Sequence, residues 1–351
     1  MPRLFIITEE WNEQSWFSTG GTRAKKYLQS PDGKFYYFKR SQFKPGRDYT
    51  YEFWNEIIAF ELGRMLGFTM LRYDIAVEGE IMGCICESMI NSEEEELIEG
   101  VKYLQAYSPM YDPSKKEHQK WYTFDLIERA LESAKIANLI NEIIKIIIFD
   151  SLIGNGDRHQ ENWAVISKQQ LITDMVEELE KSKKIKLSKT DKSLFSWVKK
   201  HIKLKKDKGE KIPQILYQTV TRFSPIYDSG SSLGRELLDD RVDIYLNNLT
   251  ELNRYIEKGS SEIHWNNKKC SHFALVENLL QSRYGDTAKD IVTSVLEKYD
   301  SEKLNHLVTE IDKDVPERLE KYKIPDNRKQ LIIKIITLRL KRLRDLIHEG
   351  V

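Results

Sequence analysis

Apolar and polar residues alternate near the start of the chain in a pattern that predicts a hairpin and a helix. Two aromatic-rich runs, residues 27–28 and 35–38, flank the turn-forming segment 30–33, which contains Pro, Asp and Gly. Between residues 50 and 67 apolar side chains recur at helical spacing, and a glycine ends the run. The pattern therefore predicts a β-hairpin followed directly by a helix.

A second pair of strands is predicted after this helix. The runs 69–77 and 81–89 are rich in apolar residues and are separated by Glu-Gly-Glu. The acidic run from Glu93 to Glu96 is then expected to begin a helix. Strand, strand, helix, strand and strand in this order predict a small β-rich N-terminal part, residues 1–90.

The rest of the chain, residues 91–351, is mostly helical by the same criterion. An apolar helix is predicted for residues 136–152, and it leads into the polar segment 154–163. Loops on a rigid scaffold often contain functional residues, so this segment is the first candidate for catalytic or binding residues. The apolar run 163–166 follows it.

A basic stretch interrupts the helical pattern. Residues 168–211 contain 14 Lys and 7 acidic residues with few apolar ones, and we expect an inserted helical hairpin over about 168–212. Residues 217–227 then predict a strand that ends in the polar loop 225–233. The last helix, 330–347, is amphipathic and is expected to pack on the helical part, with alternating basic residues at Arg339, Lys341, Arg342 and Arg344.

Composition excludes several classes of protein. The chain has 351 residues, of which 40% are hydrophobic and 11% aromatic, so it can bury a large core and is not globally disordered. This length is typical of two domains or of one two-lobed enzyme. Lys plus Arg and Asp plus Glu both number 55, so the whole molecule has no charge bias toward nucleic acid or an anionic membrane.

Cysteine content and targeting signals point to a reducing compartment. The three cysteines, Cys84, Cys86 and Cys270, are an odd number, which argues against a disulfide framework, and no second Cys/His pair with zinc-like spacing accompanies Cys84 and Cys86. The first ten residues lack a secretory signal, and the apolar run 139–152 is too short and too interrupted to span a bilayer. We expect a cytoplasmic protein, and specialised export to another cell stays open.

Three polar residues have the types and order that phosphoryl transfer requires. Asp157 and Asn162 are five residues apart, the spacing of the base and the metal-binding amide in kinase catalytic loops. Asp228 ends a predicted strand just before Gly230, where a second carboxylate can reach the same metal ion. An isolated pair of this kind would be an ordinary turn, so the order along the chain is the informative feature.

A lysine and a helix carboxylate complete the pattern. Lys39 ends a predicted central strand, although Lys34 and Arg40 lie close to it. On the following helix, Glu56 or Glu52 could fix this lysine against the phosphates of a nucleotide, and spacing alone leaves both open.

At these loops the sequence resembles the HipA-like serine/threonine kinases. The resemblance rests on Gly156-Asp-Arg-His-x-x-Asn162 and on residues 225–233, with weaker likeness at Asn55 to Gly67 and at Ile263-His-Trp265. It covers roughly residues 15 to 280. It implies an α+β, divergent bilobal protein-kinase-like fold, with a β-rich N-lobe over 1–90 and a helical C-lobe over 91–351. The chain is similar to the shorter, stand-alone members of that family.

The resemblance also implies roles for individual residues. Asp157 would be the catalytic base, Asn162 and Asp228 would hold Mg2+, and Lys39 paired with Glu56 would contact ATP. His159 would be a structural residue of the nucleotide-binding loop. A phosphate-covering loop would be formed by Ser18, Thr19, Gly20, Gly21 and Thr22. The adenine would be bound between the lobes by Glu87, Ser88 and Met89. Ser18, Thr19 and Thr22 are also expected autophosphorylation sites.

The partners follow from this assignment. A serine or threonine hydroxyl of a protein is the expected acceptor, and an antitoxin or regulatory protein is a candidate partner. Lysine predominates over arginine in the basic insert and aromatic residues are few, which argues against nucleic-acid binding. Two alternatives stay open: a phosphoinositide-type lipid kinase, because such enzymes share the Asp-Arg-His-x-x-Asn loop, and a catalytically weak pseudokinase that binds a partner. The sequence leaves the oligomeric state open.

Overall fold

A computed structural model describes residues 2–14, 25–41, 43–44, 47–91, 94–213 and 216–348. The chain forms two compact units, each considered by itself. The first unit comprises Met1–Met89, Glu99–Ala164 and Ser224–Val351, and the second comprises Ile90–Ile98 and Val165–Phe223. This division does not bear on the lobe boundary predicted at residue 90, which stays a prediction.

A six-stranded sheet dominates the N-terminal part of the first unit. Its order is β1-β7-β8-β4-β3-β2; β1 pairs with β7 in parallel, and the other pairs are antiparallel. The predicted hairpin is confirmed as β3 and β4, and it places β4 between β3 and β8 in the middle of the sheet. The strands are β1 (Leu4–Ile7), β2 (Asn12–Glu13), β3 (Lys25–Gln29), β4 (Phe35–Arg40), β7 (Asp74–Glu78) and β8 (Ile81–Glu87). Two short strands, β5 (Phe43–Lys44) and β6 (Arg47–Asp48), pair with each other.

The predicted first helix is confirmed as α1 (Glu52–Leu66). Gly67 ends it with a φ of 86°, a left-handed conformation that glycine adopts without steric cost. Most residues of α1 are buried, polar ones included, so the helix is not a simple amphipathic surface helix. The indole Nε1 of Trp54 donates to the Tyr322 carbonyl at 2.7 Å, which ties α1 to the C-terminal part of the unit.

The acidic helix predicted to begin at Glu93–Glu96 is wrong. Residues Glu95–Glu99 form a strand, β9, and the helix begins at Gly100. Successive glutamates on a helix would face one another at i, i+3 and i+4 and repel. On the strand, Glu95 instead pairs with Arg222 at 3.1 Å.

The remainder of the first unit is helical, as predicted. The apolar helix α4 is buried along most of its length. The C-terminal helix α12 is amphipathic and buries one face, as predicted. The helices are α2 (Gly100–Tyr107), α3 (Phe124–Ser133), α4 (Ile140–Ile153), α7 (Asp239–Asn247), α8 (Leu249–Lys258), α9 (His272–Leu280), α10 (Gly285–Lys298), α11 (Ser301–Glu310) and α12 (Asp326–His348), with short 3-10 helices at Lys116–Trp121, Ala137–Leu139 and Glu317–Tyr322. In the described ranges no helix combines the length and the apolar character needed to cross a bilayer.

The second unit contains the predicted basic hairpin. Strands β10 (Ala164–Leu171) and β11 (Tyr217–Phe223) pair antiparallel from Val165↔Phe223 to Leu171↔Tyr217, and β9 completes a three-stranded sheet. Two helices, α5 (Ile172–Lys181) and α6 (Lys189–Asp207), lie between these strands in the chain. The insert is therefore a helical excursion from the end of a regular β-hairpin.

Candidate active site

Lys39 lies on the central strand β4 and contacts two carboxylates. Its Nζ is 3.1 Å from Glu56 Oε1 and 3.3 Å from Asp228 Oδ1, and it also lies 3.2 Å from the Tyr73 hydroxyl. All four residues are buried. The structure thus brings three distant parts of the chain together at one ammonium group: strand β4, helix α1 and the loop after β11.

This cluster keeps Lys39 charged. Burial by itself lowers the pKa of the lysine, but the carboxylates of Asp228 and Glu56 outweigh burial and hold the pKa well above its usual value. Burial, together with the charge of Glu56, raises the pKa of the Tyr73 hydroxyl well above its usual value, so the tyrosine stays neutral. A buried ammonium group that stays charged is suited to binding an anionic oxygen.

The two acidic candidates on α1 have different partners. Glu56 contacts Lys39 through Oε1, and its Oε2 accepts a hydrogen bond from the Ser229 backbone N–H at 2.8 Å. Glu52, one turn earlier, pairs with Arg235 at 2.5 Å. Glu56 is therefore the carboxylate at the lysine, and Glu52 binds the chain beyond the Asp228 loop.

The polar loop after α4 is shaped by its own side chains. Gly154 ends the helix with a φ of 72°. Asn155 then donates to Asp150 at 3.1 Å and accepts from the Asp157 backbone N–H at 3.2 Å. This second bond is an Asx-type turn, which fixes the backbone at Asp157.

Arg158 is the largest polar side chain in the loop, and it is completely buried. Its guanidinium forms two hydrogen bonds of 2.9 Å with Asp150 on α4. It also donates to the carbonyls of Asn162, at 2.8 Å, and Tyr227, at 2.5 Å. The five donors of arginine suit this task, because one planar group can join α4, the 154–163 loop and the Asp228 loop.

Asp157 and Asn162 are held to each other and to the second loop. Asn162 Nδ2 donates to the Asp157 backbone carbonyl at 2.7 Å. Ser231 Oγ donates to Asp157 Oδ2 at 3.0 Å. Ser231 therefore links the Asp157 carboxylate to the loop that contains Asp228.

Asp228 adopts a backbone conformation that is uncommon for a residue other than glycine. Its φ is 55°, in the left-handed region that aspartate tolerates better than most residues. Its backbone N–H donates to the Tyr73 hydroxyl at 3.3 Å. Two residues later, a Cβ at Gly230 would lie 3.2 Å from the Glu56 side chain, so a larger residue there would press on α1. Contacts with α1 and with the residue that precedes β7 thus hold the Asp228 turn in place.

The donors at this site fit a magnesium ion. The nitrogen of the Asn162 amide is bound to Asp157, which leaves its oxygen as the free ligand atom, and within the described ranges no donor contacts that oxygen. Asp228 supplies a carboxylate in the adjoining loop. Mg2+ prefers oxygen ligands and is usually held by one or two protein side chains together with phosphates. In these ranges, this site included, no group of three or more His, Cys, Asp and Glu residues is arranged to hold a metal, so the two side chains would need phosphate oxygens to complete the ligand set.

The other predicted site residues are placed as follows. His159 is half-buried, accepts weakly from the Glu161 N–H at 3.4 Å and supports the loop through its carbonyl, which accepts from Asn162 at 2.9 Å. Glu87 ends β8 and pairs with Lys34 at the surface, and the next residue, Ser88, continues the pairing with β4 through its N–H. The phosphate-covering loop predicted at Ser18, Thr19, Gly20, Gly21 and Thr22 lies outside the described residues, and Met89 follows Ser88 at the end of the first unit's opening segment.

Several residues of this site had no role predicted from the sequence. One signal was present: Asp150 interrupts an otherwise apolar helix, and a charge at a buried position requires a partner. Arg158, eight residues later in a polar loop, was the available cation. Tyr73, Ser231 and Arg235 had no comparable signal, because their contacts depend on chain segments that only the fold brings together.

No protein-family model matches the sequence, and no curated protein matches it significantly. Solved structures do match. The proinflammatory kinase CtkA of Helicobacter pylori is 16% identical, with 97% of this chain and 95% of that chain covered and a TM-score of 0.65. HipA of Shewanella oneidensis MR-1, from a toxin-antitoxin complex with HipB and operator DNA, is 12% identical, with 97% and 67% covered and a TM-score of 0.48. The Golgi casein kinase is 13% identical, with 100% and 75% covered and a TM-score of 0.30.

The likeness to CtkA covers nearly the whole of both chains and shows the fold. The chain has a kinase-like fold, with a β-sheet N-lobe and a helical C-lobe. The predicted fold class is confirmed, and the predicted resemblance to kinases is confirmed at the level of the fold.

Proposed function

Because this chain has the fold of a bacterial kinase, we propose that it is an ATP- and Mg2+-dependent protein kinase that phosphorylates serine or threonine. The observation that supports this most directly is the buried contact of Lys39 with both Glu56 and Asp228. A structural ion pair would satisfy one lysine with one carboxylate. Two carboxylates from separate elements around a single ammonium instead match the arrangement that kinases use beside the phosphates of ATP.

Each residue has a distinct part in the proposed reaction. The Asp157 carboxylate accepts the proton of the attacking hydroxyl, whose oxygen forms a bond to the γ-phosphorus as the bond to the bridging oxygen of ADP breaks. Lys39, held by Glu56, binds phosphate oxygens. Asn162 and Asp228 would hold Mg2+, which supplies positive charge that offsets the charge of the phosphates.

A phosphotransfer assay with the Asp157→Asn variant tests this proposal. Purified protein would be incubated with labelled ATP, Mg2+ and a cell lysate, and phosphorylated sites identified by mass spectrometry. We expect wild type to transfer phosphate and Asp157→Asn to lose at least about 100-fold in rate while it still binds ATP, because only proton transfer is removed. Asp290→Asn, at an exposed aspartate of α10, is the matched control and should keep full activity.

The distribution of the label separates the remaining alternatives. Phosphoserine or phosphothreonine on proteins supports the proposal, and sites at Ser18, Thr19 or Thr22 would support autophosphorylation. Transfer to phosphoinositide vesicles but to no protein would identify a lipid kinase instead. Stabilisation by ATP without transfer to any acceptor would identify a pseudokinase. Transfer at the wild-type rate by Asp157→Asn would refute the assignment of the base.

A further inference from the structure

The helix α6 exposes large apolar side chains to solvent. Leu194, Trp197 and Leu204 are 63%, 59% and 46% exposed. With His201, whose ring packs against Trp197 at 4.4 Å between centroids, they occupy an arc of about 80° on the helix at 100° per residue. A different face of the helix packs on the unit, since Ile202 is buried. The exposed arc, named here the α6 stripe, is therefore not needed for packing of the second unit.

Lysines adjoin the α6 stripe on one side. Viewed down the helix axis at 100° per residue, Lys200 lies about 40°, Lys189 about 60° and Lys203 about 100° from Leu204, on the side away from Leu194. None of these three has an ion pair among the described residues. Lys192 and Lys199 lie further round the same side, about 120° and 140° from Leu204, and pair with Glu180 and Glu177 of α5. On the other side of the stripe, Lys205 lies about 20° beyond Leu194 and pairs with Glu210.

Loops near α6 add to this positive charge. Lys183, Lys184 and Lys186 precede the helix, and within the described ranges they also lack ion pairs. On α6, Lys200, Lys189 and Lys203 therefore lie nearer to Leu204 than Lys192 and Lys199 do, and those two are bound to the neighbouring helix α5. Free cations beside an exposed tryptophan and two leucines make α6 a basic amphipathic helix.

We propose that the α6 stripe and its unpaired lysines bind the surface of an anionic lipid bilayer. Leucine and tryptophan enter the boundary between headgroups and acyl chains, and the long lysine side chains reach the anionic headgroups. Clusters of four to eight basic residues on an amphipathic helix are typical of binding to acidic lipids. One such helix gives weak, reversible attachment, and it would bring the proposed kinase close to membrane-associated substrates.

The chemistry of the surface favours a bilayer over other partners. A nucleic-acid site would use arginine and several stacking aromatic residues, whereas α6 has lysine and a single tryptophan in the exposed arc. An acidic protein would satisfy the lysines, but it would not by itself account for the separation of an apolar arc from a cationic flank. The bilayer matches both halves, because its surface is anionic and the layer beneath is apolar.

Flotation of the full chain with lipid vesicles tests the proposal. We expect binding to phosphatidylcholine vesicles that contain about 30% phosphatidylserine and none to pure phosphatidylcholine. Trp197→Ala should weaken binding about tenfold, and Lys189→Gln and Lys200→Gln about fivefold each. The exposure of these side chains means that the variants should melt as wild type does. Leu194→Ser combined with Leu204→Ser gives a second variant of the apolar arc.

Matched controls lie on the same helix. Lys192→Gln with Lys199→Gln removes two charges that lie further from the stripe and are paired with α5, and should change binding by less than about twofold. An equal loss in this control, equal binding to neutral vesicles, or no effect of Trp197→Ala would overturn the proposal. Binding of an RNA or an acidic peptide by this face, without vesicle binding, would overturn it too. Phosphotransfer measured alongside, without lipid, shows separately whether the proposed function holds.

Discussion

Asp228 contacts Lys39 directly, and its replacement tests the proposed metal site. We expect Asp228→Asn to abolish most of the tightening of nucleotide binding by Mg2+, a loss of about tenfold or more, because an amide is a weaker ligand for the ion than a carboxylate. Nucleotide titration with and without Mg2+ measures this. Asp239→Asn, which removes a carboxylate that pairs with Arg328, should behave as wild type. Identical titration curves for Asp228→Asn and wild type would contradict the assignment.

The cysteines allow a prediction from pKa values. Burial raises the pKa of Cys84 well above its usual value and that of Cys86 to about 11, so near pH 8 both are almost wholly protonated and unreactive. We expect iodoacetamide to modify the half-buried Cys270 first in the folded protein, and all three cysteines only after denaturation. Peptide mass mapping measures the sites. Rapid modification of Cys84 in the native protein would show that β8 is not packed as described.

Single residues could be predicted only as far as local pattern allowed. Residue types and order identified Asp157, Asn162, Asp228 and Lys39 as candidates. The choice between Glu52 and Glu56 could not be made from the sequence, since both lie one turn apart on the same helix. It depends on Arg235, which is distant in the chain and pairs with Glu52.

At the scale of elements, one face of α1 binds the segment that follows Asp228. Asn55 Nδ2 donates to the Ser232 carbonyl at 2.7 Å, Glu56 accepts from Ser229, and Glu52 pairs with Arg235. The spacing i, i+3 and i+4 puts these three side chains on one face of the helix. The position of α1, and with it of Glu56 at the lysine, is therefore linked to the conformation of the loop.

A charge exchange across this contact tests the link. Arg235→Glu should lower phosphotransfer by at least about tenfold, because it places two carboxylates together where an ion pair holds α1. The double variant Glu52→Arg with Arg235→Glu restores opposite charges and should recover much of the rate. Comparison of the rates of the single and double variants measures the coupling. If the fold-loss of phosphotransfer rate in the double variant equalled the product of the fold-losses in the two single variants, the pair would have no positioning role.

Elements were predicted well where a pattern and an end signal coincided, as for α1 with its terminal glycine. The acidic strand β9 was missed because charge repetition has no helical or strand period of its own. On α12, the sequence pattern grouped Arg339 with the basic residues that alternate with apolar ones. In the structure Arg339 is buried, and it donates to the Ser151 carbonyl at 2.8 Å near the end of α4. Burial lowers the pKa of Arg339 to about 10. Such a cap on a distant helix cannot be inferred from periodicity.

For the whole molecule, the family resemblance at the two loops predicted the fold class, whereas the convergence of the motifs in space was not visible in the sequence. A long helical excursion separates Asn162 from Asp228 along the chain, although both are proposed to hold the same metal ion. The pairing of Leu171 with Tyr217 explains how the excursion is accommodated, since its two chain ends meet across a regular hairpin.

Removal of the helical excursion tests this architecture. Residues 172–216 would be replaced by Asn-Gly, a turn that joins antiparallel strands across two residues. We expect the shortened chain to fold with a similar melting temperature and to keep phosphotransfer to itself or to a lysate protein, because the strands that bracket the excursion remain paired. Loss of nucleotide binding in the shortened chain would mean that the excursion helps to form the site.

The buried pair of Arg158 and Asp150 has a consequence for how such proteins can diverge. Loss of either partner alone would leave an uncompensated charge in the interior, at a cost of about 3–5 kcal/mol. A lineage can thus abandon this link only by changing both positions together, or by first acquiring enough surplus stability elsewhere. Natural variation at positions 150 and 158 should accordingly be correlated, while neighbouring apolar positions of α4 drift independently.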